Sequence, residues 1–404
     1  MKRVLTIVVI FALILMLALI EYGTPSLQQL FAERSASPRL SDVSSEENAD
    51  DNANNSPDEL SPADYAGTPQ PNEEQLPEAP SEKLQGDSID EELVEIRISF
   101  AGDCTIGTDE TFTYVNSFPD RYEKVGGDDS YFFKGVESIF HQDDLTLVNL
   151  ETTFTTAKEK ADKRFRFKGD PSYVNILKEG SVEMVNISNN HIYDYLEQGF
   201  QDTLTTLEKA GICYSGEGYT AYYETKGITI GSIGYYAQST NIKESLVKDI
   251  AEARAKADLV IVSFHWGEER SHYPNSIQTQ LGRLCIDEGA DIVIGHHPHV
   301  IQGIDKYKGK YIVYSLANFC FGGNRNPSDK DTFIFQGIFT FQNGELIGND
   351  GKVYAASVSS QSNVNDYQPT LLKGEDRKRV INRILEYSTK LKYGITREDV
   401  EFSE

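Results

Sequence analysis

Short apolar runs recur along the chain from residue 94 onward, separated by more polar stretches. In residues 94–100 the apolar side chains fall at every second position, which is the period of a β-strand with one buried face. Six later runs also predict strands, at residues 145–150, 182–187, 228–234, 259–264, 292–294 and 311–315.

Segments with helical periodicity lie between several of these strands. Apolar residues in 196–207 and in 277–285 repeat about every 3.6 positions. Gly211 and Gly289 follow these segments, and glycine commonly ends a helix. Alternation of strands and helices predicts an α/β layered domain over residues 94–345, with mainly parallel strands. The pattern weakens afterwards, which predicts an irregular C-terminal extension (346–404) with a closing helix near residues 377–392.

The N-terminus carries a long apolar segment behind Lys2 and Arg3. Residues 4–20 are seventeen residues without a charge, and roughly 17–25 apolar residues span a bilayer with the basic flank in the cytoplasm. A cleaved signal peptide is the alternative, but its apolar core is usually about 7–15 residues, and residues 21–25 offer no Ala-x-Ala site. We therefore predict a single-pass signal anchor over residues 1–21, held in the lipid bilayer of the cell membrane. Under either interpretation the remaining chain is extracellular.

Most of the chain's net charge of −25 comes from one acidic stretch. Residues 41–95 contain seventeen Asp and Glu residues against one Lys, and few apolar side chains. Such a segment cannot bury enough surface to offset the entropy cost of ordering, so residues 22–93 are predicted to form a disordered acidic linker. The acidity therefore belongs to a stalk, and it argues against nucleic acid as a partner.

Polar residues follow the predicted strands directly, and histidines are prominent among them. Asp103 follows the first strand, Asn149 and Glu151 end the second, Asn190 and His191 follow the third, His265 follows the fifth, and His297 and His299 follow the sixth. Ligand sites in open α/β sheets form outside the carboxyl ends of the strands, so we expect these side chains to meet. Carboxylates and imidazoles together suit one or two divalent ions of Mn, Zn, Fe or Mg.

Each polar string also has a structural explanation when it is taken alone. The alternatives are a strand exit, a solvated sheet edge, a helix cap and a core histidine. The string of residues 295–299 is hardest to explain in this way, because His297 and His299 project to one side across Pro298. His141 and His272 have no such context and are interpreted as surface residues.

The strings form an ordered set of six: AGDCTIG (101–107), VNLE (148–151), NNHIYD (189–194), FHWGEE (264–269), GADIVIGHHPHV (289–300) and YSLANF (314–319). In this order they resemble the CapA family, the poly-γ-glutamate capsule synthesis proteins, over about residues 95–345. The resemblance implies an α/β fold of the calcineurin-like metallophosphoesterase type, with a central β-sandwich flanked by helices. It also implies a membrane anchor with an outward-facing domain.

The resemblance further implies roles for individual residues. Six of them would bind divalent metal: Asp103, Glu151, Asn190, His265, His297 and His299. Glu151 would bridge two ions. His191 would be the acid or transition-state stabiliser, held by Asp194. Two residues differ from the pattern of the two-metal phosphoesterases and weaken the resemblance to them. Thr105 stands where those enzymes have a metal-binding histidine, and Glu151 replaces an aspartate. The sequence is therefore compatible with a site for one ion as well as with a site for two ions.

Two classes of function follow from this resemblance. The first is an extracytoplasmic, membrane-anchored protein of capsule biosynthesis or export with a metallophosphoesterase-like site. Its partners would be a polymer-synthetase membrane complex and an anionic polymer, and the site could be catalytic or only bind and guide the chain. The second is a metal-dependent hydrolase of phosphoester or amide bonds in an envelope substrate, unrelated to polymer synthesis. A domain with a degenerate site is the remaining alternative.

Overall fold

The computed structural model describes residues 93–403. The predicted anchor and all but the last residue of the predicted linker lie outside these residues. Within 93–403, none of the helices combines the length and the apolar character needed to cross a membrane.

The described chain contains strands and helices that we number in chain order. The strands are β1 (Leu93–Thr105), β2 (Thr108–Asp109), β3 (Leu145–Leu150), β4 (Thr153–Phe154), β5 (Phe167–Gly169), β6 (Met184–Asn186), β7 (Cys213–Ser215), β8 (Ala221–Thr225), β9 (Ile228–Ala237), β10 (Leu259–Trp266), β11 (Ile292–His296), β12 (Ile304–Tyr307), β13 (Lys310–Val313), β14 (Asn318–Phe321), β15 (Asp331–Gln342), β16 (Glu345–Ser357), β17 (Thr370–Leu371) and β18 (Glu401–Phe402). The α-helices are α1 (Phe118–Lys124), α2 (Glu137–Phe140), α3 (Val174–Glu179), α4 (Leu196–Ala210), α5 (Lys243–Arg254), α6 (Ser276–Asp287) and α7 (Gly374–Ser388). Short 3₁₀ helices occupy Asp129–Val136, Pro171–Tyr173 and Thr240–Ile242.

The first large sheet has nine strands, with β1 near its centre. Its main path runs β17-β16-β15-β1-β3-β6-β7, while β14 pairs with β1 and β18 with β16. Strands β1, β3, β6 and β7 are parallel, whereas β15 is antiparallel to both β1 and β16. The prediction of parallel strands therefore holds for the part of this sheet that ends at the polar strings.

The second large sheet has six strands in the order β12-β13-β11-β10-β9-β8. Its four inner strands are parallel, and the edge strands β12 and β8 are antiparallel to their neighbours. A small third sheet has three strands in the order β2-β5-β4. The predicted α/β class is confirmed.

Apolar side chains of the two large sheets form one shared core, so the sheets make a sandwich. In β10, Leu259 and Ile261 belong to this core, whereas Val260 and Val262 belong to a second cluster with residues of α5 and α6. Because both faces of β10 are buried, its sequence reads as a continuous apolar run. On the outer face of the first sheet, residues of α3 and α4 pack in a third cluster. Helices therefore flank the sandwich on both sides.

The C-terminal segment is more regular than its sequence pattern predicted. Strand β16 pairs with β15 over almost its whole length, and α7 begins three residues before the predicted helix. The prediction of an irregular extension after residue 345 was wrong. The segment 348–351, Gly-Asn-Asp-Gly, has the composition of a turn, but pairing with β15 holds it extended.

Candidate metal centre

The polar strings converge where the parallel strands of the two large sheets end. In the first sheet Asp103 on β1 lies opposite Asn149 on β3. In the second, His265 on β10 lies opposite His296 on β11. His296 links the two sheets, because its Nε2 lies 3.2 Å from the carbonyl oxygen of Ala101. His296 therefore has a structural place, and the other side chains face the space between the strand ends.

Two sets of side chains could each hold a metal ion, and they share one carboxylate. The first set is Glu151, His265 and His297, and the second is Asp103, Glu151 and His299. Within each set the ligand atoms lie within 4.8 Å of one another. Glu151 belongs to both, which is the arrangement of a carboxylate placed between two ions.

The atoms at the centre of these sets lack partners. Both carboxylate oxygens of Glu151 and Nδ1 of His297 are buried and accept or donate no hydrogen bond among the described residues. A buried carboxylate without hydrogen bonds is costly unless a cation is near it. Three imidazoles surround the Glu151 oxygen at 3.5–3.9 Å, too far for hydrogen bonds. These residues fit a divalent ion.

The electrostatics of the centre favour positive charge. Burial by itself would lower the pKa of His299, but the carboxylates of Glu151 and Asp103 outweigh it and raise that pKa to about 10. Burial would raise the pKa of Asp103, but its hydrogen bond and charge interaction with His299 hold it well below the usual range. Burial raises the pKa of Glu151. Nδ1 of His299 lies 2.8 Å from Oδ1 of Asn318, which orients the ring.

Amide side chains hold the ligands in place. Asn149 donates from Nδ2 to Oδ1 of Asp103 at 2.8 Å, and the same nitrogen lies 3.2 Å from Nδ1 of His265. The predicted ligand Asn190 has its Oδ1 2.7 Å from Nε2 of His265. Asn190 therefore lies at the edge of the first set. Asn149 was not assigned a role from the sequence, although it lies with Glu151 at the end of the same predicted strand.

The predicted pair His191 and Asp194 is in contact beside the centre. Nδ1 of His191 lies 2.7 Å from Oδ2 of Asp194, and a carboxylate accepts only, so Nδ1 carries the proton. Nε2 of His191 lies 3.9 Å from Oε1 of Glu151 and can exchange a proton with a bound group. Lys163 completes the arrangement, with Nζ 2.5 Å from Oδ1 of Asp194 and 2.6 Å from the carbonyl oxygen of Asn190. Sequence reasoning missed Lys163, whose basic segment is not one of the motifs.

Unusual backbone conformations set the directions of the ligand side chains. His297 and His299 have φ values of 95° and 56°, and Ala317 has 67°, in the left-handed region that costs about 1–2 kcal/mol for a residue with a Cβ. A Cβ on Gly102 would lie 1.9 Å from the carbonyl oxygen of Ala317. Only glycine allows this close approach, which sets the direction of Asp103, whose N–H donates to the same oxygen.

A cleft of about 380 Å³ opens beside the centre. Its lining includes Phe165, Phe167, His191, Arg270 and His272. His272, interpreted as a surface residue, is half-buried in this cleft, and its ring packs on an aromatic ring of α7. The other histidine interpreted in this way is exposed, as predicted.

Comparison with known proteins decides the family. Residues 97–323 match the family described as "Bacterial capsule synthesis protein PGA_cap". The chain belongs to the PGA_cap family. It is 34% identical over 268 residues to the PGA biosynthesis protein CapA of Bacillus subtilis (strain 168), which covers 60% of this chain and 66% of that protein. The resemblance to CapA is thus confirmed.

Two further relatives carry related names. The capsule biosynthesis protein CapA of Bacillus anthracis is 31% identical over 255 residues, covering 56% of this chain and 60% of that protein. A probable polyglutamine synthesis accessory protein of Mycobacterium tuberculosis (strain ATCC 25618 / H37Rv) is 30% identical over 211 residues, covering 43% and 55%. The matches with these relatives span just under two thirds of their lengths or less.

All predicted site residues lie within the PGA_cap match, from Asp103 to His299. Thr105, at the position where the phosphoesterase pattern has a histidine, donates its hydroxyl hydrogen to the main-chain oxygen of Glu151 at 3.2 Å. In this PGA_cap domain the residue therefore supports the shared carboxylate through its backbone. The second ligand set therefore has three ligands even though residue 105 supplies no imidazole.

Proposed function

We propose that the protein acts in the synthesis or export of a poly-γ-glutamate capsule, and that its centre hydrolyses amide bonds of the polymer with the help of bound divalent metal. The observation that carries the proposal is that two ligand sets share Glu151 next to a histidine that can move a proton. The names of the relatives support the choice of polymer.

Divalent ions at the centre would supply Lewis-acid chemistry, polarising the substrate and water. The ions would be held by Asp103, Glu151, His265, His297 and His299, with Asn190 at the edge of the first set. Water would add to the carbonyl carbon of the amide, and His191 would accept a proton from that water at Nε2 and deliver it to the amine that leaves when the C–N bond breaks. Asp194 and Lys163 hold the imidazole in the orientation that this transfer needs.

The N-terminal sequence supports a location for this reaction outside the cell membrane. An anchor over residues 1–21 and a linker over residues 22–93 would carry the domain on the outer side of the cell membrane, near a polymer-synthetase complex. The apolar length of residues 4–20 and the acidic composition of the linker support this placement.

The test is metal content and turnover of the purified full chain. We expect bound divalent metal by mass spectrometry and release of γ-linked glutamate fragments. His265→Ala should remove both, because His265 is a fully buried member of the first set. His141→Ala is the matched control, since this histidine is exposed and belongs to neither set. Metal-free wild-type protein with full turnover would contradict the proposal.

Phosphoester hydrolysis is the second candidate function. The shared carboxylate favours it, because two-metal sites serve phosphatases as well as aminopeptidases. A panel of phosphoesters assayed beside γ-glutamyl oligomers separates the two. In cells, loss of capsule by a His297→Ala variant that still associates with the synthetase subunits would show that the centre does more than scaffold the complex.

A further inference from the structure

A row of aromatic rings leads away from the centre. The ring of Phe167 lies 4.4 Å from that of His191, centroid to centroid. Phe165 stacks parallel to Phe167 at 6.5 Å, with 6° between the planes, and Phe112 meets the edge of Phe165 at 5.9 Å. Phe165 is 39% exposed, so the row presents an apolar surface to the cleft.

The row ends at a second cavity of about 660 Å³, which we call the outer cavity. It shares Phe165, Gly323 and Asn324 with the cleft at the centre, so the two spaces are adjacent. Amide side chains and Arg325 line much of it, and none of its described lining residues is a carboxylate. Amides both donate and accept hydrogen bonds, as a polyamide chain requires of its binding site.

The surroundings of the outer cavity are basic, unlike the chain as a whole. Residues 158–168 hold six Lys and Arg residues against two acidic residues, in a chain of net charge −25. Lys160 and Lys168 are paired with Glu110. Arg164 lies over the ring of Phe165 at 4.8 Å. Among the described residues, neither Arg164 nor Arg325 forms an ion pair with a carboxylate, so both charges remain available for an anionic ligand.

We propose that the outer cavity is a subsite for repeat units of the polymer that lie several units away from the bond at the metal centre. The inference rests on the proposed function. Asn324 and the other amides would bind the polyamide backbone, Arg325 and Arg164 would bind its carboxylates, and Phe165 would pack against its methylene groups. The protein would then act on long chains in preference to short ones, because a long chain has further units to fill the outer cavity while one of its bonds lies at the centre.

The test compares binding of γ-linked glutamate dimers and decamers to the full chain by calorimetry, with a chelator present so that no turnover occurs. We expect the decamer to bind at least about tenfold more tightly than the dimer. Arg325→Gln and Phe165→Ala should each reduce this ratio by about tenfold, which corresponds to about 1.4 kcal/mol. Lys178→Gln is the matched control, because Lys178 lines a separate cavity with α4 residues, and it should leave the ratio unchanged.

The outcomes separate the subsite from the proposed catalysis. Equal affinities for dimer and decamer, or an unchanged ratio in both folded variants, would overturn the subsite. A γ-linked glutamine decamer that binds as tightly as the glutamate decamer would overturn its preference for carboxylates. If no hydrolysis occurs but the ratio of decamer to dimer affinity is as expected, only the catalytic proposal is contradicted. Phe165 is partly exposed, so its variant should keep the wild-type unfolding temperature, which thermal unfolding checks.

Discussion

Replacing Glu151 by glutamine is expected to remove most of the stabilisation that divalent ions confer on this protein. Glu151 is the one residue common to both ligand sets, so its substitution weakens both. Gln keeps the size of the side chain and one oxygen, but it loses the negative charge that attracts the ion. Measured losses for residues that merely orient a ligand are about 10–100-fold in metal affinity, and a direct, shared ligand should cost at least about 100-fold.

The size of the effect follows from mass action. An ion at 100 times its dissociation constant stabilises the folded state by about 2.7 kcal/mol. If the affinity falls by about 100-fold, the same concentration gives only about 0.4 kcal/mol. For a domain of this size, the wild-type unfolding temperature should rise by roughly 5 °C with metal, and that of Glu151→Gln by roughly 1 °C or less.

Scanning calorimetry with and without Mn²⁺, Zn²⁺, Fe²⁺ or Mg²⁺ measures this difference directly. Glu269→Gln is the matched control, because Glu269 lines the same cleft but is exposed and belongs to neither ligand set. The control should show the wild-type temperature rise. An equal rise in Glu151→Gln, or no rise in wild type with any of the four ions, would refute the reasoning about the shared carboxylate.

Three further predictions concern the surroundings of the centre and the fold. Lys163→Gln should lower kcat on a γ-glutamyl oligomer about tenfold with little change in KM, because Lys163 holds Asp194; Lys163→Arg should restore much of the rate. Gly102→Ala should lower the free energy of unfolding in urea by about 3 kcal/mol, since its Cβ would lie 1.9 Å from the carbonyl oxygen of Ala317. Burial raises the pKa of Asp143 from 3.8 to about 7, so the folded state holds the Asp143 proton more tightly than the unfolded state does. The resulting contribution to the free energy of unfolding is at most about 4 kcal/mol. It is complete below about pH 4 and is lost as the pH rises to about 7. Asp143→Asn should remove that part of the pH dependence when unfolding is compared at pH 5 and pH 8.

The fold could be predicted in outline where strands are buried on both faces. The run at residues 145–150 coincides with β3, and the other predicted strands differ from the observed ones mainly at their ends. β16 was missed because it is only half-buried and contains a turn-like Gly-Asn-Asp-Gly segment. Its partner β15 supplies the pairing that the local sequence does not indicate.

The part of the candidate site that short sequence motifs supply could be predicted. Strand ends placed Asp103, Glu151 and the histidines on one edge. Lys163 and Asn318 were assigned no role, because Lys163 lies in a loop and meets His191 only through the packing of that loop beside β5. Asn318 lies in one of the matched strings, but its contact with His299 arises from pairing between β14 and β1.

The sequence by itself determined the apolar runs that become strands, the polar residues that end them, and the family to which the chain belongs. These properties depend on the order of neighbouring residues. Only the tertiary structure decided that His265 and His297 share Glu151 on one side while Asp103 and His299 share it on the other. The reason is physical: the two sheets must first close over their common core before strand ends far apart in the chain bring these atoms within a few ångströms.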